Sequence, residues 1–241
     1  MNELSIILPC VSTVDTLQDF VDQLAKYLMS NPSEIDVIIV ANEEIPSIEQ
    51  LVDYVQKKYP WFKFELLIRI GKKRNYGALA RFGIAYSTSR YVVLVSPYGD
   101  NDPRIINLML KKIRKGYQVI QVTSNLSGAN TNIKQKMFHI YRLIYRFLAQ
   151  IMIGVKIKSS TNTFKMFDRA FVQALGLTRN THSICPEITF KVLLAGGKLK
   201  YLSSNSKIAP FHNDFKLFKE GIDYFWLLIR GFMHRIGIQW F

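Results

Sequence analysis

The sequence predicts an α/β domain built on a mostly parallel central sheet with helices on both faces. Short, almost wholly apolar runs alternate with longer amphipathic runs through the first half of the chain. Parallel strands buried on both sides, joined by crossover helices, produce that alternation. The composition agrees: 241 residues, 49% hydrophobic and 21% charged, describe a globular chain long enough for one large core.

The elements follow in order. Residues 4–8 read as a buried strand, and 16–28 as a helix with Leu17, Phe20, Val21, Leu24 and Leu28 on one face. A second strand at 35–40 precedes a helix near 48–58, and a third at 64–70 precedes a helix at 76–87. A fourth strand spans 91–95, then a helix 103–115, then a fifth strand 117–122. Pro103 suits a first helical turn, where a missing N–H costs nothing. Beyond a polar loop at 125–132 the pattern is less regular: a helix over 133–154, a polar loop at 158–163 before the run 164–167, helices at 170–175 and 187–194, and a strand at 198–202. With no repeat and no linker, residues 1–214 read as one domain and 215–241 as an added amphipathic helix.

Ligands on such sheets bind outside the carboxyl ends of the strands. The segments that matter are therefore 9–15, 41–47, 71–77 and 96–102.

Lys plus Arg number 32 against 18 Asp plus Glu, a net charge of +14. The excess suits an anionic partner: nucleic acid, acidic lipid head groups or a phosphorylated substrate. No RNA- or DNA-recognition module is evident, which sets nucleic acid aside. Two cysteines, Cys10 and Cys185, make neither a zinc spacing nor a disulfide framework, and are expected reduced and buried, as in the cytoplasm. The N-terminus has no basic lead of a signal peptide. No run is charge-free enough to cross a bilayer; residues 140–157 carry Arg142, Arg146 and Lys156.

Five strings carry a family resemblance: LSIILP closing on Pro9, RNYGALARFGIAYS from Arg74, RYVVLVSPYGDNDP from Arg90, TFKMFDR from Thr163, and PEITFKVLLAGGKLKYL from Pro186. In this order they resemble the family-2 glycosyltransferases of GT-A (Rossmann-like) fold, and the branch similar to dolichyl-phosphate mannose synthase and other polyprenyl-phosphate glycosyltransferases. The resemblance spans roughly residues 4–216. It implies an inverting enzyme that moves a sugar from a nucleotide-sugar donor to a polyprenyl phosphate or another lipid-linked or glycan acceptor. In such transfer, negative charge develops on the leaving diphosphate, and Mg²⁺ or Mn²⁺ held by acidic side chains, or a cluster of Lys and Arg, must stabilise it.

The sequence departs from that pattern at its acids. Ala41 and Asn42 stand in place of paired aspartates, Ser96, Pro97 and Tyr98 in place of aspartate–x–aspartate, Ser159 in place of a later aspartate, and Ser12 and Thr13 in place of Asn–Glu. Three arrangements stay open. Asp100 and Asp102 supply the catalytic metal ligands, with capping of the next helix as the other role of Asp102. Or Lys72, Lys73 and Arg74 replace the ion in a metal-independent site. Or catalysis is lost, and the fold serves as a binding or partner subunit.

The remaining candidates follow from the resemblance. Pro9, Asn42, Asn75, Ser96 and Tyr98 join Lys72, Lys73 and Arg74 around the nucleotide sugar, although Asn42, Asn75 and Gly77 also read as turn residues. Lys165, Arg169 and Glu187 are placed at the acceptor. The bland readings are a surface pair for the first two and a helix N-terminus for Glu187. His139, His182, His212 and His234 show no metal-ligand spacing and read as structural or surface groups. In the last segment Phe218, Ile222, Phe225, Trp226, Ile229 and Met233 form an apolar stripe beside Lys216, Lys219, Arg230 and Arg235. An aromatic, basic amphipathic helix of this kind suits the cytoplasmic face of a membrane. Packing on the domain, or at a contact in a homo-oligomer, is the other reading.

Overall fold

The computed structural model describes residues 2–11, 17–28, 35–42, 46–61, 63–70, 75–96, 101–124, 133–204 and 217–238. Its strands are β1 (Leu4–Cys10), β2 (Ile35–Ala41), β3 (Lys63–Ile68), β4 (Tyr91–Leu94), β5 (Val119–Ser124), β6 (Lys165–Asp168) and β7 (Leu199–Ser204). Its helices are α1 (Leu17–Leu28), α2 (Pro46–Lys58), α3 (Tyr76–Tyr86), α4 (Arg104–Ile113), α5 (Ile133–Ile153), α6 (Arg169–Ala174), α7 (Ile184–Leu194) and α8 (Leu217–Arg235). They form one seven-stranded sheet in the order β3-β2-β1-β4-β6-β5-β7. The α/β sheet with helices on both faces is as the sequence predicts.

Alternation along the strands divides the core. On β1, Leu4, Ile6, Leu8 and Cys10 face a cluster with α1, α2 and α4, while Ile7 faces a second cluster with α3, α6 and α7. Every residue of β1 and β2 is buried, which is why both read as continuous apolar runs. On the second face α3 lies close to the sheet at Gly83, where a Cβ would come within 2.7 Å of the Ile7 side chain.

Most element ends shift by one or two residues from the sequence reading, and two helix starts and one strand direction bear on the site. Helix α7 starts at Ile184, three residues before Glu187. Pro186 lies in its first turn, where no intrahelical donor is lost, so it begins no new element. Helix α4 starts at Arg104, with Pro103 at its N-cap. The run 164–167 becomes β6, which lies antiparallel between β4 and β5. The parallel pairings are β1–β2, β1–β4, β2–β3 and β5–β7. An antiparallel strand four residues long and buried on both sides carries no periodicity that reveals its direction.

Helix α8 packs against α5 and α7. Tyr145, Ala149 and Ile153 of α5, Phe190 of α7, and Tyr224, Leu227 and Leu228 of α8 make a third buried cluster. Among the described residues, no helix is long and apolar enough to cross a membrane.

Candidate active site

The strand order creates the crevice. β1 lies between β2 and β4, reached from opposite faces through α1 and α3. Between the carboxyl ends of β1 and β4 the winding reverses, and open α/β sheets bind ligands there. Pro9 and Cys10 end β1 beside Val40 and Ala41, and Leu94 of β4 lies beside Ile7. Helices α3 and α4 begin at this same edge, so their positive dipole ends are directed to it. The four predicted segments therefore leave neighbouring strands side by side. Their tips lie outside the described residues, and with them Ser12, Thr13, Lys72, Lys73, Arg74, Pro97, Tyr98 and Asp100.

The described flanks are well ordered by polar contacts. Asn42, 5% exposed just past β2, accepts a hydrogen bond from Arg69 Nη1 at 3.2 Å, which ties the ends of β2 and β3 together. Ser96 is buried past β4, and its backbone N–H donates to Asn101 Oδ1 at 2.7 Å. Asn101 thereby closes the base of the 97–100 segment, a role the sequence reading did not assign. Asn75 is the N-cap of α3, with extended φ −130° and ψ 131°; its side chain makes no cap bond. Its carbonyl accepts from the N–H groups of Ala78 and Leu79 instead.

Asp102 is committed locally. Its Oδ1 accepts from the Arg104 backbone N–H at 3.0 Å, and both its oxygens accept from the Arg104 guanidinium at 2.8–3.1 Å. That fork holds the Asp102 carboxyl below the usual carboxylate range. The Asp102 side chain thus orders the start of α4, and a divalent cation on it would sit against a guanidinium. The described part of this loop does not fit a metal ion.

The three acceptor candidates lie elsewhere. Lys165 is neither a surface residue nor open to an acceptor. It is fully buried, and its Nζ donates to Ser160 O at 2.7 Å, Cys185 O at 2.6 Å and Thr189 Oγ1 at 2.6 Å. Burial pushes this ammonium down to about 7. Arg169 is at the opposite edge of the sheet, because β6 runs antiparallel: Asp168 pairs with Tyr91 at the start of β4. There Arg169 Nε donates to Ser89 O at 2.7 Å and Nη1 to Gln173 Oε1 at 3.0 Å. Glu187 is 1% exposed and accepts from Thr178 N–H, Thr178 Oγ1 and Arg179 N–H at 2.8–3.0 Å, with Lys191 Nζ at 3.2 Å. These contacts build the turn ahead of α7.

That turn brings a residue the sequence reading set aside to the carboxyl edge. The N-terminus of α3 docks on segment 179–181: Ala78 N–H donates to Asn180 O at 3.0 Å, and a Cβ on Gly77 would lie 2.4 Å from Thr181 O. Next along, the His182 ring stacks on Tyr76 with centroids 4.6 Å apart and planes 8° from parallel. Its Nδ1 lies 3.0 Å from Glu220 Oε2 of α8, whose carboxylate also accepts from the His182 backbone N–H at 3.2 Å. Thr181 Oγ1 donates to Asp223 at 2.9 Å, and the Tyr224 hydroxyl to His182 O at 3.1 Å. Glu220 lies 38 residues from His182 in sequence, beyond the reach of any spacing search. Among the described residues, no three His, Cys, Asp or Glu side chains gather as a metal site.

On this geometry the comparisons with known proteins bear directly. A glycosyltransferase of Synechocystis sp., itself uncharacterised, is 27% identical over 177 residues, which cover 72% of this chain and 52% of that one. The chain thus spans about half the length of that relative. Among solved structures, glucosyl-3-phosphoglycerate synthase from Mycobacterium tuberculosis, in complex with Mn²⁺, UDP and phosphoglyceric acid, superposes with a TM-score of 0.70 at 11% identity. The match covers 99% of this chain and 80% of the other. Mannosyltransferase PcManGT from Pyrobaculum calidifontis, in complex with GDP-Man and Mn²⁺, gives a TM-score of 0.63 at 11% identity over 97% and 64% of the two chains. These structures share the GT-A architecture. The sequence profile of glycosyl transferase family 2 matches residues 5–176, most of the described sheet included, and the chain belongs to that family.

Proposed function

We propose that this protein transfers a sugar from a nucleotide-sugar donor to a lipid-linked acceptor at an anionic membrane surface. The family membership and the crevice between β1 and β4 support the donor. The solved relatives that hold UDP or GDP-Man on the same architecture agree with it. The nucleobase lies beside Asn42 and Arg69, and the diphosphate beside Ser96, the α3 and α4 N-termini and the basic run Lys72, Lys73 and Arg74. Developing negative charge on the leaving group is met there by cationic side chains and helix dipoles. Such transfer inverts the anomeric centre by one in-line displacement.

The observation that carries the membrane half is the outer face of α5 and α8. Ile140, Leu143, Ile144, Phe147 and Ile151 of α5, and Ile222, Phe225, Trp226 and Phe232 of α8, are all exposed. The two helices are packed together, with Arg235 Nη1 donating to Ile151 O. Half of the stripe expected on α8 is on this face; Tyr224, Leu227 and Leu228 turn inward instead. α5 has no acidic residue, and the two acids of α8, Glu220 and Asp223, are bonded inward to His182 and Thr181. Among the described residues of the two helices, the exposed charges are Arg146 and Arg235, both basic. An apolar face with cationic groups suits acidic lipid head groups. The buried, unpaired thiols of Cys10 and Cys185 agree with the cytoplasmic side.

The test is nucleotide release from UDP-glucose and GDP-mannose, measured with and without vesicles of phosphatidylglycerol and phosphatidylcholine. Release that rises with the anionic vesicles is expected. Absence of both release and nucleotide binding would favour the binding-subunit reading.

A further inference from the structure

We propose that the groove on the outer side of α3 binds a phosphate monoester, with the phosphate on Arg81 and Arg69 and the organic part lying along the helix. The inference goes beyond the glycosyl-transfer reading and stands without it.

The helix makes the groove. Ala78, Arg81, Phe82 and Ala85 recur at steps of three and four residues and so share one face of α3. The opposite face is the one on the sheet: Leu79 and Ile84 belong to the buried cluster around Ile7, and a Cβ on Gly83 would meet the Ile7 side chain. The first face is therefore turned away from β1 and β4 and from the crevice between them. With Arg69, Gln173 of α6 and the turn at 176–180 it encloses an open groove of about 440 Å³. That is room for a small metabolite. The two alanines keep the floor low, and Phe82, 39% exposed, and Leu177 give apolar walls.

Charge selects the ligand. Among the described residues that line the groove, two are arginines and none is acidic. Arg81 is half-buried, and its Nη1 donates to Thr178 O at 3.1 Å and to Asn180 Oδ1 at 2.9 Å. Both acceptors are neutral, so they fix the guanidinium without offsetting its charge. Neither its Nε nor its Nη2 makes a hydrogen bond within the described residues. Arg69, with Nη1 on the neutral Asn42 Oδ1, adds a second positive charge. A phosphate monoester carries nearly two negative charges at neutral pH, and its oxygens take a guanidinium in a two-bond fork. A carboxylate would offset only one of the two charges.

The position of Arg81 also predicts a stabilising effect. Its anchor, the turn at 178–180, is where the Ala78 N–H docks through Asn180 O. A ligand that spans Arg69 and Arg81 therefore ties the end of β3, helix α3 and this turn together. Binding to the folded state alone raises the melting temperature.

The test uses 1-naphthyl phosphate, titrated by calorimetry, with 1-naphthol and inorganic phosphate as controls. Expected is binding at least about tenfold tighter than either control, with a rise in melting temperature. Arg81→Gln removes the charge and keeps an amide donor for Asn180. Ala85→Trp fills the groove from an exposed helical position and leaves both arginines in place. Each should weaken binding by about tenfold or more, as the loss of a charged hydrogen bond or of the space for the ring requires. Each should melt near wild type without ligand; if Arg81→Gln fails to fold, Ala85→Trp decides.

Vesicles separate the two sources of such a group. Phosphatidic acid presents a phosphate monoester and phosphatidylglycerol a diester. A preference for phosphatidic acid that is lost in Arg81→Gln assigns the groove to a lipid head group. Binding of 1-naphthyl phosphate without that preference assigns it to a soluble phosphate. The inference is overturned if wild type shows neither, or if a folded variant holds its ligand within about threefold of wild type. Nucleotide release from UDP-glucose and GDP-mannose is a separate measurement, and its absence bears on the glycosyl-transfer reading alone.

Discussion

Lys165 Nζ donates to Thr189 Oγ1 at 2.6 Å in a site closed to solvent, linking the antiparallel strand β6 to the second turn of α7. Thr189 in turn donates to Gln121 Oε1 at 3.2 Å on β5. A lysine so placed has its proton affinity lowered to about 7 by burial, against about 10.4 in an unfolded chain. The sign follows from proton counts. Between those values the unfolded state holds a proton that the folded state has released, so stability rises with pH across the window from about 7 to 10. At about 1.4 kcal/mol for each unit of difference, the total is several kcal/mol. Thermal melts from pH 6 to 10 should show this rise in wild type, and Lys165→Met should lose it. Parallel curves for the two proteins would show that Lys165 stays charged throughout.

Gly77 is held to glycine by backbone, not by a flexible neighbour. A Cβ there would lie 2.4 Å from Thr181 O and 2.6 Å from the Asn180 carbonyl carbon. Gly77→Ala must push α3 away from segment 179–181 and break the Ala78–Asn180 bond. Overpacking of this kind costs about 1–3 kcal/mol, and the melting temperature should fall by several degrees. Because the same contact seats the N-terminus of α3 at the carboxyl edge, turnover should fall further than the loss of folded protein explains. An unchanged melt would mean that the segment yields freely.

Asp102→Asn tests whether the carboxylate next to the missing acidic motif has taken over metal binding. With both Asp102 oxygens on Arg104, the substitution should weaken the start of α4 by about 0.5–1 kcal/mol, as lost terminal contacts do. Nucleotide affinity in Mn²⁺ should remain within a factor of three. A tenfold loss confined to Mn²⁺-containing buffer would place a metal ligand at Asp102 after all.

What the sequence made legible was decided by burial. β1 and β2 are buried on every residue and α3 follows an Asn–x–Gly entry, so their places could be read from composition alone. The crevice followed from their order. Lys165 was misread because lysine is almost never fully buried, and only the fold shows three oxygens waiting for its ammonium. Arg169 was misread because the direction of β6 is invisible in a strand of four apolar-flanked residues. The His182–Glu220 pair needed α8 folded back on segment 178–183, a contact between elements with no local signature.

The α5–α8 face yields the last prediction. Phe147 is 63% exposed, Phe225 53% and Trp226 54%, and none belongs to a described buried cluster. Charged substitutions here should therefore leave the fold intact. Phe147→Glu with Trp226→Glu removes two aromatic anchors and adds two negative charges on a face whose outward charges are basic. Burying an aromatic ring in the lipid interface stabilises attachment by roughly 1.5–3 kcal/mol, and each anionic charge opposes acidic head groups. Sedimentation with phosphatidylglycerol vesicles should fall at least a hundredfold in affinity, while the melting temperature stays within about two degrees. Binding by wild type should also weaken as salt rises, because the electrostatic part is screened over a Debye length of about 10 Å at 0.1 M. If the double variant binds anionic vesicles as wild type does, or if wild type sediments equally with pure phosphatidylcholine, this face is not what meets the membrane. A shift from dimer to monomer in the same variant would instead assign it to a second copy of the chain.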